Sequence, residues 1–566
     1  MFFARLRNIW QKFTLAEKRT ALILAVLFLI GLFFLISNGI SKITIAVPKQ
    51  GGSWTIGTVG SPHFINPILI QDNDIDRDLS ELVYNGLFKM SSDGKLSFDL
   101  AEKSEISPDG KIYTIYLKDD ILWHDGETFT ANDVIFTIEA IQDAEYQSPL
   151  KYNWQGVIAE KVSDSIVRFS LKNPYEPFLQ NLTLKIMPKH IWQNVSPRSF
   201  VLADYNLKPI GTGPYLFEKF QKDASGQILS YTFQANSHYY AGPPYIQNIT
   251  FNFYVDFDKG IEALLKKNID SLADLPVDKY PALAKKLGWK VEQISLPRYY
   301  AVFFNANKNR VLSDINVRQA LSLAIDKNLI ISQVLSGQAN PLNTPISSGF
   351  IGYSEELNKN NYDLNAGLAL LEKSGWVDSD QDGIREKTYS KEKTETELTL
   401  KLVLPKNKQL EQVAELIKSS WQKLGVKVEW ESLALRDLEK DYLKERNYES
   451  VLFGNMLGVD PDLFAFWHSS QKNDPGLNLS LYGNVSLDAL LEETRQTSNQ
   501  ATRLANLTKI QEILLNDSPA VFLYNPYYLY ANSSTLKGNN IKIANYPSER
   551  LSDIGQWYLY TKRVFK

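Results

Sequence analysis

The chain has 566 residues, 44% hydrophobic and 22% charged, with a net charge of −3 and no cysteine. That length exceeds one compact core, and the composition excludes a disordered chain. The missing cysteine excludes disulfides, thiolate metal sites, a Cys nucleophile and a lipid-bearing N-terminal Cys, and it suits an exported protein.

The charge is unevenly placed. Arg5, Arg7, Lys12, Lys18 and Arg19 against Glu17 give the first 40 residues +4, so the remainder carries −7. A mildly acidic body has no basic surface for tracking phosphates, and nucleic acid is not an expected partner.

Residues 21–40 contain no charge. At about 1.5 Å per residue they cover about 30 Å, the hydrocarbon thickness of a bilayer. Basic residues lie only on the N-terminal side, which places residues 1–19 in the cytoplasm. The reading is a single transmembrane anchor over 20–40, with the whole body extracytoplasmic. A cleaved signal peptide is the competing reading, since Ser37 and Gly39 fit a small-x-small site. The body is exported in both cases.

After a short join at 49–52, expected to be flexible, strand-like and helix-like stretches alternate. The β-rich runs 112–117, 249–254 and 398–403 read as strands. Apolar residues at three and four spacing predict helices over 314–335, 410–424, 486–498 and 501–515, the third with a Ser cap. Gly425 ends the second of these helices and a strand begins at 426. Strand, helix and strand across 398–430 form a βαβ unit with parallel pairing. Hairpin-like strands before residue 200 and βαβ order after 300 predict two lobes of different construction.

Several motifs stand at characteristic spacing. His63-Phe64-Ile65-Asn66-Pro67 and Leu82-Val83-Tyr84-Asn85-Gly86-Leu87 come first. Leu100-Ala101-Glu102, Ser107-Pro108-Asp109-Gly110 and the run from Trp123-His124-Asp125-Gly126 to Asn132-Asp133-Val134 form the most specific block. Ile210-Gly211-Thr212-Gly213-Pro214-Tyr215, Phe304-Asn305, Val317-Arg318-Gln319-Ala320-Leu321, Ala324-Ile325-Asp326, Asp460-Pro461-Asp462 and Leu487-Asp488-Ala489-Leu490-Leu491 follow. With these, nearly the whole body resembles the family 5 solute-binding proteins of ABC transporters, which include oligopeptide-, dipeptide- and nickel-binding proteins.

That resemblance implies an α/β, two-lobed, periplasmic-binding-protein-like clamp of type II with an extra inserted subdomain. Lobe I would comprise 52–76, 205–298 and 525–566, with the subdomain 77–204 inserted; lobe II would comprise 299–524. The chain would cross between lobes near 296–304 and 522–528. The implied partners are a peptide or other small solute and ABC permease subunits with a separate ATPase; the chain is expected to be a monomer without cofactor. An oligosaccharide or nickel chelate, or a receptor role without transport, remain the alternatives. The Trp-His-Asp-Gly turn, with Thr130 or Asn132 as a helix cap, and the Gly-Thr-Gly-Pro bend read as structural.

Candidate ligand contacts follow from the same frame. Relatives that bind peptides hold the amino terminus with an acid upstream of an Asp-Pro-Asp-like stretch in the second lobe. The matching segment includes Asn455, Leu457 and Asp460, and no Asp stands at the upstream position. Asp460 is a ligand candidate, or else caps a helix over 463–468. Arg298, Tyr299 and Tyr300 occupy the first crossing, where Arg298 suits a ligand carboxylate or a surface acid equally. Phe64, Ile65, Tyr84, Trp154, Trp467, Tyr482 and Tyr524 are candidates for cleft walls, each also a good core residue.

Residues 378–384 imitate the start of a calcium loop, but position twelve is Tyr389 where a bidentate Glu is needed, so a solvated turn is expected, with a calcium site as the alternative. The five histidines (63, 124, 190, 238 and 468) lack metal-ligand spacing. No nucleophile elbow, P-loop or dinucleotide fingerprint occurs. The expectation is a binding protein, with an anchored hydrolase as the leading enzyme alternative.

Overall fold

The structure is a computed structural model that describes residues 13–70, 73–389 and 395–566. Arg5, Arg7 and Lys12 lie outside the described residues, so the expected cytoplasmic segment is described only from residue 13. A 29-residue helix, Leu15–Ile43, comes first. Its Leu15–Leu35 stretch has a mean hydropathy of 2.1 and is not buried by any of the described residues. The helix starts earlier than the apolar run because Thr14 and Glu17 form a capping pair. Thr14 N–H donates to the Glu17 carboxylate at 2.8 Å and Glu17 N–H to Thr14 Oγ1 at 3.3 Å.

The helix passes directly into strand Thr44–Lys49, which pairs antiparallel with the C-terminal strand Tyr560–Phe565. The join expected to be flexible is seated against the body. Gly51 N–H donates to the Tyr245 carbonyl at 2.8 Å. Gly52 has φ +87°, and a Cβ there would lie 2.9 Å from Leu559, so both backbone and space call for glycine.

A twelve-stranded sheet runs through both lobes. On one side Ser53–Val59 and Asn248–Tyr254 pair in parallel. Ile228–Ala235 and Tyr215–Lys222 extend that side antiparallel. On the other side Thr399–Pro405 and Lys427–Leu433 pair in parallel around helix Lys408–Gln422, with Gly425 at φ +80° ending the crossover. That is the βαβ unit read from the sequence.

The joining element is the 14-residue strand Ala520–Ser533. Its first half pairs with Arg298–Phe304 and Ala339–Pro341, its second with Trp289–Ser295. Both crossings are therefore hydrogen-bonded ladder, not free loop. Asn525, fully buried, locks them together. Its amide donates to the Leu296 carbonyl at 2.8 Å and to the Arg298 carbonyl at 2.6 Å, and its Oδ1 accepts from Ser295 Oγ at 3.3 Å.

Residues 101–170 contribute a separate four-stranded antiparallel sheet. Helix Ala131–Gln142 is capped by Thr130, one of the two expected caps, in a capping box with Asp133, so it begins two residues before the expected start at Asp133. Two predicted helices differ in detail. The run 314–335 is two helices, Ile315–Leu323 and Lys327–Val334, because Asp326 turns to accept from Leu329 N–H at 3.1 Å and starts a new one. Helix Val485–Gln496 is capped by Asn484 rather than Ser486.

Three motif segments meet at one junction. His124 N–H donates to the Gly211 carbonyl at 2.8 Å, and Gly211 N–H returns to His124 Nδ1 at 3.3 Å. His124 Nε2 lies 3.0 Å from the Gly213 carbonyl, and Gly213 N–H donates to the Val83 carbonyl at 2.8 Å. Burial holds the His124 imidazole down at about 4, so it stays neutral with Nδ1 accepting and Nε2–H donating. A Cβ on Gly211 would stand 1.9 Å from the Val83 carbonyl oxygen, and one on Gly213 2.5 Å from that of Leu82. The glycines permit contact between backbones, which is why the motif has them.

Candidate ligand cleft

Residues 175–180 and 458–462 touch. Arg503, 6% exposed at its side chain, reaches Glu176 at 3.1 Å and also grips Asp460. Arg495 binds Asp462 through Nε at 3.0 Å and Nη2 at 2.8 Å, and lies over the Tyr175 ring at 5.3 Å. Glu176 N–H donates to the Arg495 carbonyl at 2.9 Å. Val459 N–H donates to Asn545 Oδ1 at 2.7 Å, adding a tie to the C-terminal segment.

Two carboxylates thus share one guanidinium. Burial, and then the neighbouring Asp460, push the Glu176 carboxyl up to about 7 while Arg503 pulls it down. Two like charges therefore meet at this contact.

Beside it lies a cavity of about 220 Å³. Helix Asp74–Val83 presents Arg77, Ser80 and Glu81 to it, one helical face at three and four spacing. Trp154 and Lys185 come from the inserted segment, and Glu549 from the C-terminal turn Pro547–Leu551. Lys185 binds Glu81 at 3.0 Å. Burial alone would lower the Lys185 ammonium, but Glu81 and Asp99 outweigh it and hold it raised. Burial pushes the Glu549 carboxyl up to about 8, against a hydrogen bond of 2.6 Å from Asn545 N–H.

The expected contacts fall into three groups. Arg298, Tyr299, Tyr300, Asn455, Leu457 and Tyr524 gather around the paired strands of the crossing. Within that group Asn455 donates to the Tyr299 hydroxyl at 3.1 Å, Tyr300 stacks on Tyr524 at 5.4 Å, and Leu457 N–H donates to the Pro297 carbonyl at 2.7 Å. Arg298 Nε is buried without a hydrogen-bond partner among the described residues. Trp154 alone of the expected residues lines the cavity.

The remainder lie apart. Ile65 and Tyr84 belong to the core of the first lobe, and Trp467 to that of the second. Tyr299 and Tyr524 are likewise fully packed. Phe64 is half-buried, and its N–H donates to Asp76 at 3.1 Å. Tyr482 is bound to Asp517. Asp460 does not cap a helix at 463–468. The helix is Phe464–Trp467, and Asp462 accepts from Phe464 N–H at 3.2 Å, because Arg503 has claimed the Asp460 carboxylate. Asp378, Asp380, Asp382 and Glu386 cluster at the solvated turn. Glu386 is engaged there with Ser379 N–H at 3.0 Å.

The cavity residues Arg77, Ser80, Glu81, Lys185 and Glu549 were missed in the sequence. Arg77, Ser80 and Glu81 left a signal as a polar stripe on a short helix. Lys185 and Glu549 left none, since distant segments bring them there.

Two unlike lobes joined by a shared strand, with a charged cavity beside their contact, define a solute-binding clamp. Residues 95–476 match the family described as bacterial extracellular solute-binding proteins, family 5. The chain belongs to that family. It is 28% identical over 561 residues to the oligopeptide-binding protein AppA of Bacillus subtilis, covering 96% of this chain and 99% of that one. The solved structure of that protein with a nonapeptide superposes with a TM-score of 0.70 at 26% identity, over 91% of this chain and all of the other. NikZ from Campylobacter jejuni, solved with Ni(L-His), gives a TM-score of 0.71 at 27% identity, over 90% of this chain and all of the other.

Proposed function

We infer that this chain is a membrane-tethered receptor that encloses an oligopeptide between its lobes and delivers it to an ABC permease. Helix Leu15–Ile43 holds the protein to the membrane with residues 1–19 inside and the body outside. The moving bodies are lobe I (52–76, 205–298 and 525–566, carrying the insert 77–204) and lobe II (299–524). The protein works as a monomer and converts nothing; the energy comes from the ATPase of its partner. Tethering keeps the receptor near the permease at high effective concentration.

The observation that carries this reading is the ion-paired contact of Tyr175 and Glu176 in lobe I with Asp460, Asp462, Arg495 and Arg503 in lobe II, the two bodies a clamp brings together around its ligand. Among the described residues lining the cavity beside that contact there is no histidine, which favours a peptide over a nickel chelate. Its opposed charges favour a charged ligand over a sugar. Small-angle scattering of the full chain in detergent, titrated with a pool of tri- to nonapeptides, tests it. Compaction with the pool is expected, together with peptides co-purifying in native mass spectrometry. A chain that neither compacts nor carries peptide overturns the peptide assignment.

A further inference from the structure

The first charge after the uncharged run 21–40 is Lys42, and the helix then passes without a break into strand Thr44–Lys49. At about 1.5 Å per residue, Thr44 stands about 6 Å beyond the end of that run, within the polar headgroup layer of about 5–8 Å on each side of a bilayer. Strand Tyr560–Phe565 is fixed to the same height by its register, with Phe565 opposite Thr44 and Arg563 opposite Ala46. Lys566 N–H donates to the Ile43 carbonyl at 3.0 Å, which carries the pairing down to the helix itself. The two strands thus form a stalk that continues the helix, with no loose tether between it and the body.

The charge of this stalk opposes that of the rest. Lys42, Lys49, Lys562, Arg563 and Lys566 are exposed, and residues 41–52 and 554–566 contain no Asp or Glu. Among the described residues none of the five is ion-paired; Arg563 donates to Thr44 Oγ1 at 3.0 Å. Residues directly opposite in an antiparallel pair share a face, and the faces alternate along each strand. Phe565 and Arg563 therefore stand on one face with Thr44 and Ala46, while Lys562 and Lys49 stand on the other with Ile45 and Val47. On the first face Phe565 is 80% exposed, an aromatic ring at the height where aromatic side chains favour the membrane interface. On the second, Lys49 and Lys562 edge a groove of about 480 Å³ between the stalk and residues 241–245, completed by Gln50 and Gln556. Both faces offer donors to an anion, and neither offers a carboxylate.

We propose that this stalk is a docking surface for anionic phospholipid headgroups, which seat the body at one height above the bilayer. The surface rests on the membrane-tether reading above. Lys42, Arg563 and Lys566 reach the headgroup layer directly. Lys562, opposite Val47, stands about 10 Å beyond Thr44, one screening length at 0.1 M salt. A lipid surface fits these residues better than a protein partner, because the helix sets their height and the bilayer supplies phosphates at that height.

The test uses the full chain, which has no cysteine, carrying one fluorophore on Ala46→Cys. It is reconstituted into vesicles of phosphatidylcholine, alone or with about a third phosphatidylglycerol, each holding nitroxide-headgroup lipid in both leaflets as quencher. In 0.1 M salt, quenching is expected to be at least about twofold greater with phosphatidylglycerol, and equal in 1 M salt, where the screening length falls to about 3 Å. Combining Lys562→Gln, Arg563→Gln and Lys566→Gln removes the difference, with an unchanged Tm in detergent showing that the fold is kept. Lys566→Gln alone, whose fold contact is made by the backbone, already lowers it. Equal quenching in both lipids for the wild type, or a difference that the triple variant keeps, overturns the surface while leaving the tether standing. Flotation with phosphatidylcholine vesicles after an alkaline wash reports the tether separately. If the chain does not float, the tether reading fails, and binding from solution to phosphatidylglycerol vesicles decides the surface. Binding that the triple variant loses supports it; no binding overturns it.

Discussion

Glu176→Gln isolates the lobe contact better than any other single change. Glu176 and Asp460 face one Arg503, and the Glu176 carboxyl rises from 4.5 to about 7. A rise of that size corresponds to an upper bound of about 3.4 kcal/mol. The Glu176 side chain is 34% exposed, so solvent screening reduces the effect to about 1–2 kcal/mol, or roughly tenfold in the closing equilibrium. The sign follows from proton uptake on closing. Closure gains its full contribution below pH 4.5 and loses it as pH rises through about 7. Glutamine keeps the shape, cannot ionise, and removes that dependence. Because the chain has no cysteine, Cys placed at Tyr152 and Val485, which are 84% and 87% exposed, takes fluorophores cleanly. Energy transfer between them, read from pH 5 to 8.5, should weaken with rising pH in the wild type and stay flat in Glu176→Gln. Superimposable curves for the two proteins would refute the reasoning.

Four further outcomes concern the frame that holds the cleft. Arg550→Met strands Asp78, which is 3% exposed and already raised by burial despite its arginine. Urea unfolding should report a loss of about 3–5 kcal/mol at pH 8 and a smaller one as falling pH protonates the stranded carboxyl. Gly211→Ala drives a methyl into the Val83 carbonyl and should cost about 3 kcal/mol. Gly226→Ala, in open space at φ +90°, should cost about 1 kcal/mol by the same measurement. Asn525→Ala leaves the Leu296 and Arg298 carbonyls without this donor and should cost about 2–4 kcal/mol in unfolding. It should also speed hydrogen exchange across the crossing strands; unchanged exchange would mean that Asn525 does not hold the crossing.

Much of this protein was determined by its sequence alone. An uncharged run long enough to span a bilayer, the 398–430 βαβ unit and the spaced motifs all depend on neighbours close in the chain. Such local patterns fix periodicity, capping and turn chemistry, and with them the fold class and family. Tertiary structure decided the rest. The crossings became ladder because a 14-residue strand finds partners on both sides, an arrangement no local pattern encodes. Asp460 looked available until Arg503, 43 positions away, closed on it. Glu549 carried no motif, and its character comes from burial beside Glu81, which outweighs Lys185 and the N–H groups of Asn545 and Tyr546. Charge state in a cleft is set by what is packed nearby and by how much water is removed, and both are fixed only when distant segments meet.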